Sequence, residues 1–129
     1  MKNKIMIVVE GDLYGHLLAK EFQSRGYGVC AVLDRGEEAI EKAREEKPDT
    51  ILLEFLLKGN LDGIETAKIL QQGSSISIVF LNNRLEQKWI NRTGEINVSA
   101  IVNKAESSPG KIVEMVRTRI TKPQSMTTS

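Results

Sequence analysis

Residues 50–63 read TILLEFLLKGNLDG. The first half is an apolar run, Ile51, Leu52, Leu53, Phe55 and Leu56, with one carboxylate, Glu54, set into it. A short continuous run of this kind belongs to a strand covered on both faces, and such strands lie in parallel sheets with crossover helices packed on either side. The second half is a loop that ends at Asp62. That residue is placed to cap a helix, and Glu65 three residues on completes a capping box. A buried carboxylate is costly unless it reaches water, a metal or a hydrogen-bonding partner. Glu54 at the strand's end therefore has to be explained.

Working outward, strand and helix signals alternate. Residues 5–9 (IMIVV) are a β-branched run. Leu13, Leu17, Leu18 and Phe22 then recur at helical spacing from Asp12 to Arg25, and Gly26 and Gly28 stop that helix. GVCAVL (28–33) is a second strand, and Ala39, Ile40 and Ala43 mark the inner stripe of a second helix closed by Pro48. After TILLEF comes the capped third helix, with Ile64, Ala67 and Leu70 facing inward. SISIVFL (75–81) is a fourth strand, followed by a polar helix over 84–92, and VSAIV (98–102) is a fifth. Ser108 and Pro109 suit the N-cap and first turn of a last helix whose inner face is Ile112, Val113, Val116 and Ile120.

Five such βα units predict an α/β fold. It is a flavodoxin-like, doubly wound, five-stranded parallel sheet of order 2-1-3-4-5 in a three-layer α/β/α sandwich. Residues 1–120 are expected to form the domain, and TKPQSMTTS (121–129) a flexible tail or the start of a linker.

Composition narrows the function. At 129 residues and 40% hydrophobic the chain can bury a single core, and a net charge of +1 gives no electrostatic reason to expect a nucleic-acid or membrane partner. Cys30 is the single cysteine, which excludes an internal disulfide and a cysteine-based metal cluster. No apolar run has membrane-spanning length and the opening is not a signal peptide, so the expected compartment is the cytoplasm.

In doubly wound folds ligands sit beyond the carboxyl ends of the strands. Glu10, Gly11 and Asp12 follow the first strand there, Glu54 ends the third, Asn82 and Asn83 follow the fourth, and Asn103 and Lys104 the fifth. Carboxylates gathered on one rim suit a hard divalent cation, although each acid can equally serve only as a helix cap.

With these residues in place, the chain resembles the receiver domains of two-component response regulators over about residues 4–120. The resemblance is carried by IMIVVEGD, GYGV, GEEAIEKAREEKPDTILLE, LKGNLDGIETA and ISIVFL. It implies a signalling role in a phosphorelay. In that family, acids after the first strand and an aspartate ending the third hold Mg²⁺, and that aspartate accepts a phosphoryl group from a histidine kinase. A Thr or Ser after the fourth strand and a Lys after the fifth bind the phosphoryl oxygens, and an aromatic on the fifth strand is the readout.

The match fails at the working positions. Glu10 fits the first acid, but Gly11 stands at the second, and Asp12 comes one residue late. The acceptor position is Glu54, the hydroxyl position Asn82, the aromatic position Ala100, the lysine position Asn103 and the proline position Lys104. The extra methylene of glutamate moves its carboxylate by roughly 1.2–1.5 Å, and a misplacement of about 1 Å can cost ~10²-fold in rate. Without an acid at Gly11, Mg²⁺ held by Glu10, Asp12 and Glu54 should be weak or absent, and no cofactor is required.

The expectation is a degenerate receiver that is no enzyme and acts by protein docking without phosphorylation. Three readings of Glu54 stay open: a standing mimic of the phosphorylated aspartate reaching toward Asn82 or Lys104, a residual metal ligand with Glu10, or an acid pointing at water. The resemblance implies a histidine kinase or an output domain as partner. It also implies a homodimer through the face made by the fourth helix, fifth strand and fifth helix. Trp89 on that fourth helix is a candidate interface anchor, or else packs inward on its own helix. Two alternative functions remain: a weakly active Mg²⁺-dependent phospho-acceptor, and a small nucleotide- or flavin-binding enzyme that Asp34 at the end of the second strand keeps open, although GDLYG lacks the three-glycine spacing of a dinucleotide-binding loop. His16 reads as a surface residue and Cys30 as a small buried hydrophobe.

Overall fold

The computed structural model describes residues 3–84 and 86–121, apart from the side chains of 119–121. Of the tail expected at 121–129, Thr121 is helical and 122–129 lie outside that set, as does the inward role of Ile120. The apolar runs form five strands: β1 (Lys4–Val8), β2 (Gly28–Leu33), β3 (Thr50–Glu54), β4 (Ser77–Asn82) and β5 (Ala100–Asn103). All neighbours pair in parallel, in the order β2-β1-β3-β4-β5. Between and after them run α1 (Asp12–Ser24), α2 (Gly36–Glu46), α3 (Gly63–Leu70), α4 (Gln87–Arg92) and α5 (Pro109–Thr121). This is the doubly wound flavodoxin-like sandwich that the sequence predicts.

Strand side chains alternate between the two faces and so divide the core in two. Ile5, Ile7, Leu52, Val79, Leu81, Ala100 and Val102 pack under Leu18 and Phe22 of α1 and Ile112, Val113 and Val116 of α5. Met6, Val8, Ile51, Leu53, Phe55, Ile78 and Phe80 pack under α2, α3 and α4. Glu54 is two residues beyond Leu52, so the same alternation turns it toward the α1 face.

Several local expectations shift. The inner stripe of α1 is Gly15, Leu18, Ala19 and Phe22, whereas Leu13 and Leu17 are 74% and 49% exposed. Both stripes have helical spacing, and docking on the sheet selects the one with Phe22. Helix α4 begins at Gln87 rather than 84 and spans six residues. Strand β4 begins at Ser77 because its ladder starts where Thr50 of β3 supplies a partner.

Trp89 is buried, not an interface anchor. Its ring stacks on Phe55 at 5.4 Å between centroids, and Phe55 stacks on Phe80 at 4.6 Å. Phe55, just past the end of β3 and itself stacked on Phe80 of β4, gives the indole an aromatic partner that its own short helix does not, and so draws it inward. The capping box of α3 forms as read. Asp62 accepts from the Glu65 N–H at 2.8 Å and Glu65 accepts from the Asp62 N–H at 2.8 Å.

Candidate functional site

The carboxyl ends of β1, β3, β4 and β5 meet on one rim, and Glu54 is at its centre. Its residue is 5% exposed, so its charge needs partners. Oε1 accepts a hydrogen bond from the Glu10 backbone N–H at 2.7 Å. Oε2 is ion-paired with Lys104 Nζ. The Lys104 amine also lies 4.5 Å from the ring centroid of Tyr14, on the first turns of α1. A carboxylate and an aromatic face therefore hold one ammonium in a largely dehydrated space.

Tyr14 is a member of this site that the sequence reading missed. The signal was available, since Tyr14, Leu18 and Phe22 share one helical stripe. Its hydroxyl oxygen is buried and has no hydrogen-bond partner among the described residues. Burial, then the nearby Glu54 charge, push its pKa up to about 12.

The remaining predicted residues disperse. Gly11 is the N-cap of α1 with φ at 99°, a left-handed region that a side chain enters only under strain. Asp12 is exposed in the first turn of α1, where its carbonyl bonds His16 Nδ1 at 2.8 Å. Glu10 brings its backbone, not its carboxylate, to Glu54. Among the described residues no three His, Cys, Asp or Glu side chains are grouped to hold a metal ion. The divalent-cation set expected from Glu10, Asp12 and Glu54 does not fit this rim.

Asn82 and Asn103 pair in register at the ends of β4 and β5, yet both amide side chains are engaged with backbone, Asn82 with its own loop and the chain just past β3, Asn103 with its own loop. Asn82 Oδ1 accepts from the Phe55 N–H at 3.4 Å and its Nδ2 donates to the Arg84 carbonyl at 2.8 Å. Asn103 Oδ1 accepts from the Ala105 N–H at 3.0 Å and caps the 3₁₀ turn Lys104–Glu106. Lys104, not Asn103, brings an amine to Glu54. The aromatic-x-x-Lys spacing then lands on Ile101 rather than Ala100. Ala100 faces the α1–α5 side of the sheet and Ile101 the other.

Among the other residues singled out, Cys30 is half-buried, and burial raises its thiol pKa. Asp34 is paired with Lys58 at 3.4 Å. Gly63, in the first turn of α3, packs against the backbone at the end of β3. A Cβ there would lie 2.1 Å from the Glu54 carbonyl oxygen, so only glycine lets α3 start against the end of β3.

Comparison with known proteins fits this geometry. The response regulator receiver domain model matches residues 5–117. The chain is 43% identical over 72 residues to the alkaline phosphatase synthesis transcriptional regulatory protein PhoP of Bacillus subtilis, covering 56% of this chain and 29% of that protein. It is 27% identical over 120 residues to the DNA-binding response regulator MtrA of Mycolicibacterium smegmatis, covering 93% of this chain and 51% of that one. The chain thus spans about half or less of these relatives. Among solved structures, the signal receiver domain of a modulated diguanylate cyclase from Desulfovibrio desulfuricans superposes with a TM-score of 0.83 at 29% identity, over 93% of this chain and 94% of that one.

Proposed function

The chain belongs to the response regulator receiver domain family of two-component signalling, and from that premise we propose that it signals by protein docking without phosphorylation. Receiver domains are in general signalling modules rather than enzymes. The observation that carries the proposal is the buried Glu54–Lys104 ion pair, in which the acceptor-position carboxylate already has both oxygens engaged. In-line phosphoryl transfer needs a free, well-placed oxygen. Here attack would require breaking a desolvated ion pair, from a side chain one methylene too long.

Of the three readings of Glu54, the geometry favours the standing mimic: the carboxylate engages the lysine that would otherwise answer a phosphoryl oxygen. With Ile101 at the readout position, the aromatic switch is missing from this site. The domain is therefore held in one state, and its output is set by whether a partner is present.

A histidine kinase or an output domain is the class of partner we infer. The exposed large apolar side chains among the described residues are Leu13 and Leu17 on α1 and Leu56 after β3. They support contact near the rim rather than the α4–β5–α5 homodimer expected earlier, since Trp89 is not available as its anchor. DNA binding is named for MtrA, a protein about twice as long, and the net charge of +1 is our reason for not extending it to these residues. No helix among the described residues is long and apolar enough to cross a membrane, and cytoplasmic placement is part of the same proposal.

Incubation with Mg²⁺ and either acetyl phosphate or beryllofluoride tests this reading. The expected result is no phosphoryl adduct by mass spectrometry and no saturable change in amide spectra. An adduct on Glu54 would overturn it in favour of a working phospho-acceptor.

A further inference from the structure

We propose that the rim of this domain is an ammonium site, built from the Glu54 carboxylate and the face of Tyr14 and filled by the chain's own Lys104. The inference deepens the proposed function and rests on its view of Glu54–Lys104 as the resting pair. A hard divalent cation of the size of Mg²⁺ requires about six oxygen ligands in near-octahedral array. This site offers one side-chain carboxylate, and one of its oxygens is held by the Glu10 N–H at 2.7 Å. The Tyr14 ring lies beside the ammonium, and Gly11, which follows Glu10 in the chain, has a φ of 99° that disfavours a carboxylate side chain at that position.

An ammonium has different needs. It takes a single opposite charge, and it gains from a π-face within about 6 Å of the ring centroid, more so when water is excluded. Nζ at 4.5 Å from the Tyr14 centroid meets that condition. The Lys104 and Glu54 side chains are only 13% and 7% exposed, which shuts out the hydration shell that Mg²⁺ releases reluctantly. The donor set therefore selects a primary alkylammonium over a divalent metal.

Lys104→Ala should empty the site and leave room for a short alkylammonium in place of the lysine side chain. Propylammonium is expected to raise the melting temperature of Lys104→Ala saturably and to shift the Glu10 and Gly11 amide signals. Mg²⁺ at equal concentration should not. Neither wild type nor Lys104→Ala/Glu54→Gln should respond to propylammonium, because one site is already filled and the other has lost its charge.

In case Lys104→Ala fails to fold, the wild-type chain gives an independent reading. The Lys104 side-chain resonances should be ring-current shifted by Tyr14, return toward ordinary values in Tyr14→Leu, and stay unmoved by Mg²⁺. Absence of propylammonium rescue in folded Lys104→Ala would overturn the assignment, as would displacement of the wild-type Lys104 signals by saturating Mg²⁺. A phosphoryl adduct on Glu54 would instead strike the proposed function, so the two failures are distinguishable.

Discussion

Glu54 and Gly11 together decide what the rim can hold. The position of Glu54 was legible in TILLEF because a strand end is a local feature. Its partners were not, because Glu10 and Lys104 lie 44 and 50 residues away in the chain. Lys104 could be matched on sequence only by counting back to an aromatic that is missing, whereas the folded rim brings its amine to Glu54 directly. Gly11 reads as a lost acid on sequence, but its φ of 99° makes it a backbone requirement of this loop. Gly11→Asp should therefore lower stability in urea denaturation by about 1–3 kcal/mol, the usual cost of a side chain in a disfavoured backbone region. Added Mg²⁺ should not recover that loss. A variant as stable as wild type, or one stabilised by Mg²⁺, would show that the loop can rearrange into a metal-binding form.

At the scale of elements, local signals carried well and facing did not. The α3 capping box forms as read because all its donors and acceptors lie within four residues of one another. The start of α5 follows the same rule, with Ser108 Oγ accepting from the Lys111 N–H at 3.2 Å. The inner face of α1 is a different matter. Leu13–Leu17 and Tyr14–Leu18–Phe22 both satisfy a 3.6-residue period, and only contact with the sheet and α5 separates them. Leu18→Ala should cost about 2–5 kcal/mol, as for other buried leucines, while Leu13→Ala should stay within about 0.5 kcal/mol. Chemical denaturation of the two variants checks this, and equal losses would mean that α1 is rotated from the orientation described.

On the scale of the whole molecule, the sheet ties two cores into one cooperative unit. Strands β1, β3, β4 and β5 each send alternate side chains into both apolar clusters, so neither layer can open without exposing the other's floor. The single tryptophan makes this measurable. Trp89 is in the α2–α4 layer against Phe55, whereas far-ultraviolet circular dichroism reports all helices and strands. The two signals should trace coincident urea transitions, the behaviour of a two-state domain of this size. A tryptophan transition at clearly lower denaturant would mean that the short α4 and its loop unfold separately. The same burial removes the aromatic anchor expected on the α4–β5–α5 face.

The sequence by itself determined the order of strands and helices, their parallel pairing, the caps of α3 and α5, and the fact that a carboxylate ends the central strand. Each of these follows from periodicity or from contacts within a few residues. Tertiary structure decided the facing of α1, the inward turn of Trp89 and the capture of Lys104 between Glu54 and Tyr14. Those outcomes depend on groups that are distant in the chain and adjacent only after the sheet forms. The physical reason is the same in all three. A local period states that a side chain will be covered or paired, and only the packed molecule supplies the surface or charge that does it.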